Sequence, residues 1–278
     1  MSVTAEILTG GKPVPALKEM LPEGLEYGEY GENYVLKEAE SEDSVIVFDP
    51  ACICRGICLE TSADSVTLGL SNVTGVSEIH LFYELVRSIC NIFGTAVFKR
   101  EDAIVSLEQA DRLEEEDISS AKAGLDVMLA RLEAGEDNVT IFGALNPITM
   151  DASDLKKIGG DPEKLGVFLH DKQSANAYYA APRVFQDPKD GSLAGVYSVP
   201  CATRTIMPYV PVAPFYLQQK VDRWIVYVYI SDDKYGYVEF ADFAAGVHNL
   251  GPYDAAHYLL ELDEASAEKL IKQHPAKM

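Results

Sequence analysis

The segment from Val76 to Phe93 constrains the fold of this chain more than any other stretch of its sequence. Its apolar residues recur every three or four positions, the spacing of one face of an α-helix. Gly94 stands where such a helix would end. Strand-length apolar runs lie on both sides of the segment, which favours a helix packed on a sheet. The apolar positions are Ile79, Phe82, Leu85, Val86, Ile89, Ile92 and Phe93.

The remaining patterns predict an α+β protein with antiparallel-rich mixed sheets covered by helices. In the first half we expect strands at 45–48, 57–60, 66–70, 96–98 and 139–142, and a second helix from Ile118 to Leu132. In the second half we expect helices at 153–158 and 162–173, strands at 178–185, 193–199, 224–230, 237–240 and 257–262, and a last helix capped by Asp263.

Charge divides the chain unevenly. The first 150 residues contain 10 Lys and Arg against 27 Asp and Glu, a formal charge of −17 out of −21 for the whole chain. The pattern of elements also changes near Asn146-Pro147. We therefore predict two packed halves, an acidic α+β half over residues 1–146 and a β-rich α+β half over residues 147–278.

The same charge excludes two classes of partner. With a pI near 4.5, the chain lacks the basic face needed to bind phosphates of nucleic acid or an anionic membrane. The N-terminus shows no basic and apolar signal segment, and no apolar run is long enough to span a bilayer. The odd count of five cysteines implies no disulfide framework. We expect a cytoplasmic protein.

Three cysteines fall close together, at Cys52, Cys54 and Cys58. Structural zinc takes four ligands, in pairs separated by two to four residues. Here the cysteines are separated by one and by three residues, and no second pair lies nearby. Even-numbered positions share one face of a strand. We therefore interpret the three as small buried thiols on a sheet and predict neither a metal nor another cofactor.

A catalytic site is indicated weakly, by two histidines and an acid. His248 and His257 bracket a turn that contains Asp254, so a carboxylate could orient His257 as a general base. The chain has no Gly-x-Ser-x-Gly, no His-Glu-x-x-His and no phosphate-binding glycine loop. These three residues are the weak candidates for a site that no local motif encodes.

Two acidic runs carry the densest charge, residues 38–43 and Glu114, Glu115, Glu116 and Asp117. We expect both to be surface loops. Three interpretations remain open: solvated loops, a patch that attracts a basic protein partner, and a loosely held divalent cation. The second makes Glu114–Asp117 a candidate partner-binding site.

Prolines recur every third residue at Pro208, Pro211 and Pro214, with aromatic residues among them. This is the period of a polyproline II helix, which could dock in an aromatic groove of another protein. The strongly β-forming flanks favour the alternative, a stiff segment packed on its own domain.

Part of the first half resembles a family of uncharacterised bacterial proteins. The resemblance lies in three runs, Cys54-Arg55-Gly56-Ile57-Cys58-Leu59-Glu60, Val66-Thr67-Leu68-Gly69-Leu70, and residues 74–83 with Ile79, Phe82 and Tyr83. It implies a bacterial intracellular protein. The family carries no assigned activity, so it implies no catalytic residue.

Two functional hypotheses follow. The leading one is a non-enzymatic binding or interaction protein whose acidic surface meets a basic partner, as acidic immunity proteins neutralise toxins. The alternative is a hydrolase or transferase with a non-local site near His248, Asp254 and His257.

Overall fold

The computed structural model describes residues 2–277, together with their side chains except at positions 32, 249 and 250. The chain divides into two compact units, Met1–Ser174 and Ala175–Met278. The described elements form an α+β fold with mostly antiparallel strand pairs, which confirms the predicted class.

The first unit is built on an eight-stranded sheet in which all neighbouring strands are antiparallel. Its order is β3-β2-β4-β5-β6-β1-β7-β8. These strands are β1 (Ser2–Leu8), β2 (Glu26–Tyr30), β3 (Leu36–Lys37), β4 (Ser44–Phe48), β5 (Ile57–Thr61), β6 (Ser65–Ser71), β7 (Val97–Arg100) and β8 (Ala103–Ser106). A separate hairpin joins β9 (Val139–Phe142) to β10 (Pro147–Met150).

Five helices complete this unit: α1 (Leu17–Met20), α2 (Val76–Phe93), α3 (Ala110–Glu133), α4 (Ala152–Ile158) and α5 (Pro162–Gln173). The α2 bounds agree with the predicted helix, and Gly94 ends it in the left-handed conformation, with φ of 66°. The apolar stripe of α2 packs on one face of the large sheet and forms the main core of the unit. The alternate residues of the central strands point away from α2, so they line the opposite face of the sheet.

The helix α3 begins eight residues before the predicted start at Ile118. The run Glu114–Asp117 therefore lies within a helix, and its prediction as a surface loop was wrong. Ser106 caps a short 3-10 turn that leads into α3, and Arg112 pairs with Glu116 one turn later. In the first turns of α3 only Ala110 and Leu113 are buried in the core, and the ionic contacts around them are not revealed by an apolar pattern. The other acidic run, residues 38–43, does lie in a loop.

The second unit contains two four-stranded sheets and two helices. One sheet has the order β11-β14-β18-β17 and the other β12-β13-β15-β16. The elements are β11 (Tyr178–Tyr179), β12 (Arg183–Gln186), β13 (Leu193–Pro200), β14 (Arg204–Pro208), β15 (Arg223–Ser231), β16 (Lys234–Glu239), α6 (Phe240–Gly246), β17 (Asn249–Pro252), β18 (His257–Glu261) and α7 (Glu264–Gln273).

One strand prediction in this unit was wrong. Residues 178–185 were expected to form one strand, but they form β11 and the start of β12, which belong to different sheets. Pro182 separates the two strands, and proline removes a donor that a continuous ladder requires. The predicted helix cap at Asp263 is present, because its carboxylate accepts the N–H of Ser266 at 2.8 Å.

The proline-rich segment begins in the second unit's β11-β14-β18-β17 sheet. Pro208 ends β14, and the hydroxyl of Tyr197 lies 3.0 Å from the nitrogen and 3.1 Å from the oxygen of Val212. Beyond Pro208 the segment exposes several apolar side chains, Tyr209, Val210, Val212, Phe215 and Tyr216. Tyr197 thus attaches the segment to its own unit. Across residues 2–277, no helix is both long and apolar enough to span a bilayer.

Candidate functional site

The open face of the large sheet carries a groove of about 430 Å³, within the usual size range of small-molecule sites. The residues that line it are Ser2, Thr4, Tyr30, Tyr34, Ile46, Arg55, Gly56, Cys58, Glu60, Thr67, Gly69, Leu70, Ser71 and Phe142. We call this cavity the open-face groove. All of its residues belong to the first unit.

The floor of the open-face groove is a row of directly paired residues. Ile46 of β4 pairs with Cys58 of β5, Cys58 with Gly69 of β6, and Gly69 with Thr4 of β1. Gly69 contributes no side chain at the centre of this row, so the floor is lowest there. A Cβ at Gly69 would meet only Cys58 Cβ at 3.4 Å and Cys58 O at 3.9 Å. The depression therefore exists because this position is glycine.

Arg55 brings the positive charge to the groove. Its Nε donates to the carbonyl of Phe142 at 3.2 Å, and its Nη1 donates to the carbonyl of Val73 at 3.3 Å. The next residue, Gly56, has a φ of 79°, and a Cβ there would approach Ile46 Cγ2 to 2.3 Å. Only glycine suits this turn, which fixes the main chain that carries Arg55.

A buried carboxylate lies under this turn. Glu78, in the first turn of α2, accepts the N–H of Gly56 at 2.5 Å and the hydroxyl of Thr74. Burial raises the pKa of Glu78 above its usual value, against the effect of these donors and of Arg55. Burial also lowers the pKa of Arg55, while the charge of Glu78 favours the protonated guanidinium. The guanidinium is charged in this setting, and its charge is only partly compensated.

Three aromatic rings form one wall of the groove. The rings of Tyr34 and Phe142 stack with centroids 4.0 Å apart, and Tyr30 meets Tyr34 edge-on at 5.7 Å. The Tyr30 hydroxyl lies 3.1 Å from the carbonyl oxygen of Arg55 and 3.0 Å from that of Gly143. Asn33 and Tyr34 have φ values of 64° and 57°, a conformation that non-glycine residues seldom adopt. Strained backbone of this kind concentrates at binding sites.

This arrangement is suited to binding. It combines one cation, a stacked aromatic pair and several hydroxyl groups in a cleft. Its thiol, Cys58, is a poor nucleophile, because burial raises the pKa of Cys58 to about 11. Glu60, the acidic residue of the lining, is exposed on the same strand face.

The structure brings together two of the three predicted catalytic candidates, in the second unit. His257 Nδ1 lies 2.8 Å from Asp254 Oδ1, and His257 Nε2 lies 3.1 Å from the hydroxyl of Tyr179. Burial, followed by the charge of Asp254, raises the pKa of Tyr179. His248 is exposed in the loop before β17, and no described hydrogen bond or ion pair joins it to the other two. Sequence reasoning missed Tyr179, which lies 78 residues from His257.

The acidic candidates on α3 are partly engaged in the fold. Asp117 is buried and binds Arg100 through both carboxylate oxygens, at 2.6 and 3.0 Å. Glu114 pairs with Arg87 and His80, and Glu116 pairs with Arg112. Glu115 is exposed. Of the four, Glu115 and Glu116 are the ones presented to solvent.

The cysteines do not share a strand face, so that interpretation of their spacing was wrong. Cys58 lies in β5, whereas Cys52 and Cys54 lie in the irregular segment between β4 and β5. The turn at Gly56 follows these two residues and delays the start of the strand. Among the side chains that the structure describes, no three His, Cys, Asp or Glu are grouped so that they could hold a metal ion.

The comparisons with known proteins give one finding. A family model described as a domain of unknown function, DUF4299, matches residues 11–270. No curated protein and no solved structure matches the chain. The family match covers most of both units, including the open-face groove beyond Thr4. The chain therefore belongs to the family of the domain of unknown function DUF4299.

Proposed function

We propose that the chain is a non-enzymatic binding protein whose open-face groove holds a small ligand with an anionic group and a planar apolar body. The observation that carries this proposal is the position of Arg55, a cation with restricted access to water at the end of a cleft with an aromatic wall. Planar rings stack on aromatic side chains, and guanidinium groups bind carboxylate or phosphate through paired donors.

The electrostatics support an anionic ligand. Arg55 has five N–H donors, and the bonds to Phe142 and Val73 use two of them. Its neighbour Glu78 is satisfied by neutral donors, and burial raises the pKa of that carboxyl group. Glu78 compensates the positive charge of Arg55 only in part, and an anion in the groove would compensate the rest. Hydrogen bonds to charged groups are typically worth about 1.5–3 kcal/mol.

The test uses 2-naphthoate and its uncharged analogue 2-naphthalenemethanol as probes. We expect naphthoate to bind in titration calorimetry and to raise the melting temperature, and the alcohol to bind at least about tenfold more weakly. Gly69→Leu fills the floor of the groove and should abolish binding of naphthoate. Ser65→Leu places the same side chain on the same strand face outside the groove and should bind as wild type does.

Equal binding of naphthoate by wild type and Gly69→Leu would exclude the groove as the site. Equal binding of the acid and the alcohol would exclude the role given to Arg55. Because a Cβ at Gly69 meets its neighbours at ordinary contact distance, we expect this variant to fold, and its urea unfolding curve provides the check.

We propose as a second candidate binding function that an acidic surface of the chain binds a basic protein partner. It is supported by the loop at residues 38–43, most of whose residues are exposed, and by the charge of −17 on the first 150 residues. A cationic partner would associate more slowly as salt rises. Association rates of a basic partner with wild type and with Glu115→Lys, measured across a salt series, test it.

The enzymatic alternative rests on the chain of contacts from Tyr179 through His257 to Asp254. A carboxylate that orients a histidine is the arrangement of a general base. Hydrolysis of a panel of nitrophenyl esters by wild type and His257→Gln tests this reading. A cytoplasmic location belongs to the same set of proposals and is supported by five cysteines without a disulfide.

A further inference from the structure

Two cysteines outside the open-face groove lie together at the N-terminus of α2. Cys52 is half-buried and Cys54 is fully buried. Cys52 Sγ lies 2.9 Å from Ser77 Oγ. A Cβ at Gly166 would lie 3.6 Å from Cys54 Sγ and 3.9 Å from the same Ser77 Oγ, so both sulfurs lie near Ser77. One sulfur is thus accessible, and the other is held beside it in the protein interior.

The position of Cys54 is fixed by close packing between α2 and α5. Gly75 precedes α2, and a Cβ at Gly75 would lie 2.7 Å from Gly166 Cα and 2.8 Å from Cys54 Sγ. Because Gly75 has no side chain, the sulfur of Cys54 has room to lie there. Close packing of Gly75 and Gly166 therefore confines the Cys54 sulfur beside the start of α2.

The surroundings of Cys52 favour its thiolate. The pKa of Cys52 is lowered to about 6, first by the hydrogen bond from Cys54 and then by Ser77 and His170, against the effects of burial and Asp49. The N-terminus of α2 adds a positive electrostatic potential. The pKa of Cys54 is raised, first by its hydrogen bond to Cys52 and then by burial and Glu78. Cys54 therefore keeps the proton of the pair.

The exposed part of Cys52 borders a small cavity. A cavity of about 10 Å³ adjoins it, lined by Asp49, Cys52, Ser77, Glu78 and Leu81. This is about the space that one water molecule requires. Hydrogen peroxide is an oxidant of comparable size.

We propose that Cys52 and Cys54 form a peroxide-reactive dithiol, with Cys52 as the attacking thiol and Cys54 as the resolving thiol. The Cys52 thiolate attacks one oxygen of hydrogen peroxide, the O–O bond breaks, and the leaving hydroxide takes a proton to form water. Cys52 becomes a sulfenic acid. The sulfur of Cys54 then attacks Cys52, the S–O bond breaks, and the proton of Cys54 leaves with the hydroxyl group as a second water. Two thiols are oxidised to one disulfide, one peroxide is reduced to two waters, and a cellular thiol reductant restores the pair.

The test treats the full chain with hydrogen peroxide at pH 7 and follows the cysteines by peptide mass mapping. We expect wild type to form a disulfide between Cys52 and Cys54. Cys54→Ala should stop at a sulfenic acid on Cys52 that dimedone traps, and Cys52→Ser should form neither product. Cys52 should react at least about tenfold faster than Cys58, whose higher pKa leaves far less thiolate at this pH.

Cys201→Ser is the matched control and should behave as wild type does, because Cys201 lies in the second unit. Mapping of wild type alone decides the proposal if a variant fails to fold. The proposal is overturned if Cys52 and Cys54 remain reduced while Cys58 or Cys90 is oxidised, or if the disulfide joins two chains. Since the groove plays no part in this reaction, naphthoate binding and peroxide reactivity can fail independently.

Discussion

Among the described side chains of the first unit, two carboxylates are buried, and their surroundings satisfy them in different ways. Asp117 is paired with the guanidinium of Arg100 and accepts the hydroxyl of Tyr83 at 2.7 Å. Glu78 receives its hydrogen bonds from neutral donors, with Arg55 contributing only through its charge. The first is an ion pair and the second is a carboxyl group for which burial outweighs the favourable contacts.

We predict that Glu78→Gln gains stability relative to wild type as the pH rises. Because the folded pKa of Glu78 is raised above the usual 4.5, its contribution to stability is fully present below pH 4.5. That contribution is lost as the pH rises through the folded pKa. The neutral amide of the variant has no such loss. Urea unfolding of both proteins from pH 4.5 to pH 8 measures the trend. A difference that stays constant with pH would contradict the prediction.

Breaking the buried pair should cost far more than breaking an exposed one on the same helix. We expect Asp117→Asn to lower the free energy of unfolding by about 3 kcal/mol, because it leaves the half-buried Arg100 without its counter-charge. Glu116→Gln removes an exposed pair with Arg112 and should cost less than about 1 kcal/mol. Urea unfolding at pH 7 compares the two variants. Equal losses would mean that Asp117 is more exposed to solvent than the structure shows.

At the scale of elements, α2 and α3 show what a sequence pattern can predict. The helix α2 was predicted with its observed bounds because burial on one face imposes a regular apolar repeat and Gly94 ends it. The first turns of α3 were missed because only Ala110 and Leu113 of these turns join the core, and the other contacts to α2 and β7 are ionic. Partners distant in sequence cannot be inferred from the spacing of charges alone.

The open-face groove shows the same limit of sequence-based prediction at a candidate binding site. Its residues come from several strands and from two connecting segments, and they meet only through strand register and the turn at Gly56. The sequence drew attention to Arg55-Gly56 only as part of a family resemblance. Gly69, which makes the depression, is inconspicuous in a strand pattern. Asp254 and His257 were predictable because only two residues separate them in the sequence.

The packing of α2 supplies a prediction at this scale. Phe82 is fully buried in the main core of the first unit, so Phe82→Ala should lower the free energy of unfolding by about 3–5 kcal/mol. Glu84→Ala, two residues along and exposed, should cost less than about 0.5 kcal/mol. Urea unfolding measures both. A loss below about 1 kcal/mol for Phe82→Ala would mean that this face is not packed on the sheet.

At the scale of the whole chain, the boundary between the two compact units differs from the boundary predicted between the two halves. The change in charge suggested residue 146, whereas the units separate between Ser174 and Ala175. Residue 146 lies in the turn of the β9–β10 hairpin, whose strands pair through Phe142 and Pro147. Residues on both sides of it share one core cluster. That cluster contains Cys54, Leu125, Leu132, Ile141, Ile148, Met150, Leu155, Ile158, Leu165 and Leu169.

Three fragments distinguish the two boundaries. If the boundary lies at 174, fragments 1–174 and 175–278 should each unfold cooperatively in urea, because each retains its own core. Fragment 1–146 should not, since it lacks β10, α4 and α5 and would expose Leu125 and Ile141 to water. Circular dichroism of the three fragments across a urea series measures this. If the boundary lies at 146 instead, fragment 1–146 should unfold as sharply as 1–174 and at the same midpoint. That outcome would show that the hairpin and the two helices after it add nothing to the stability of the acidic half.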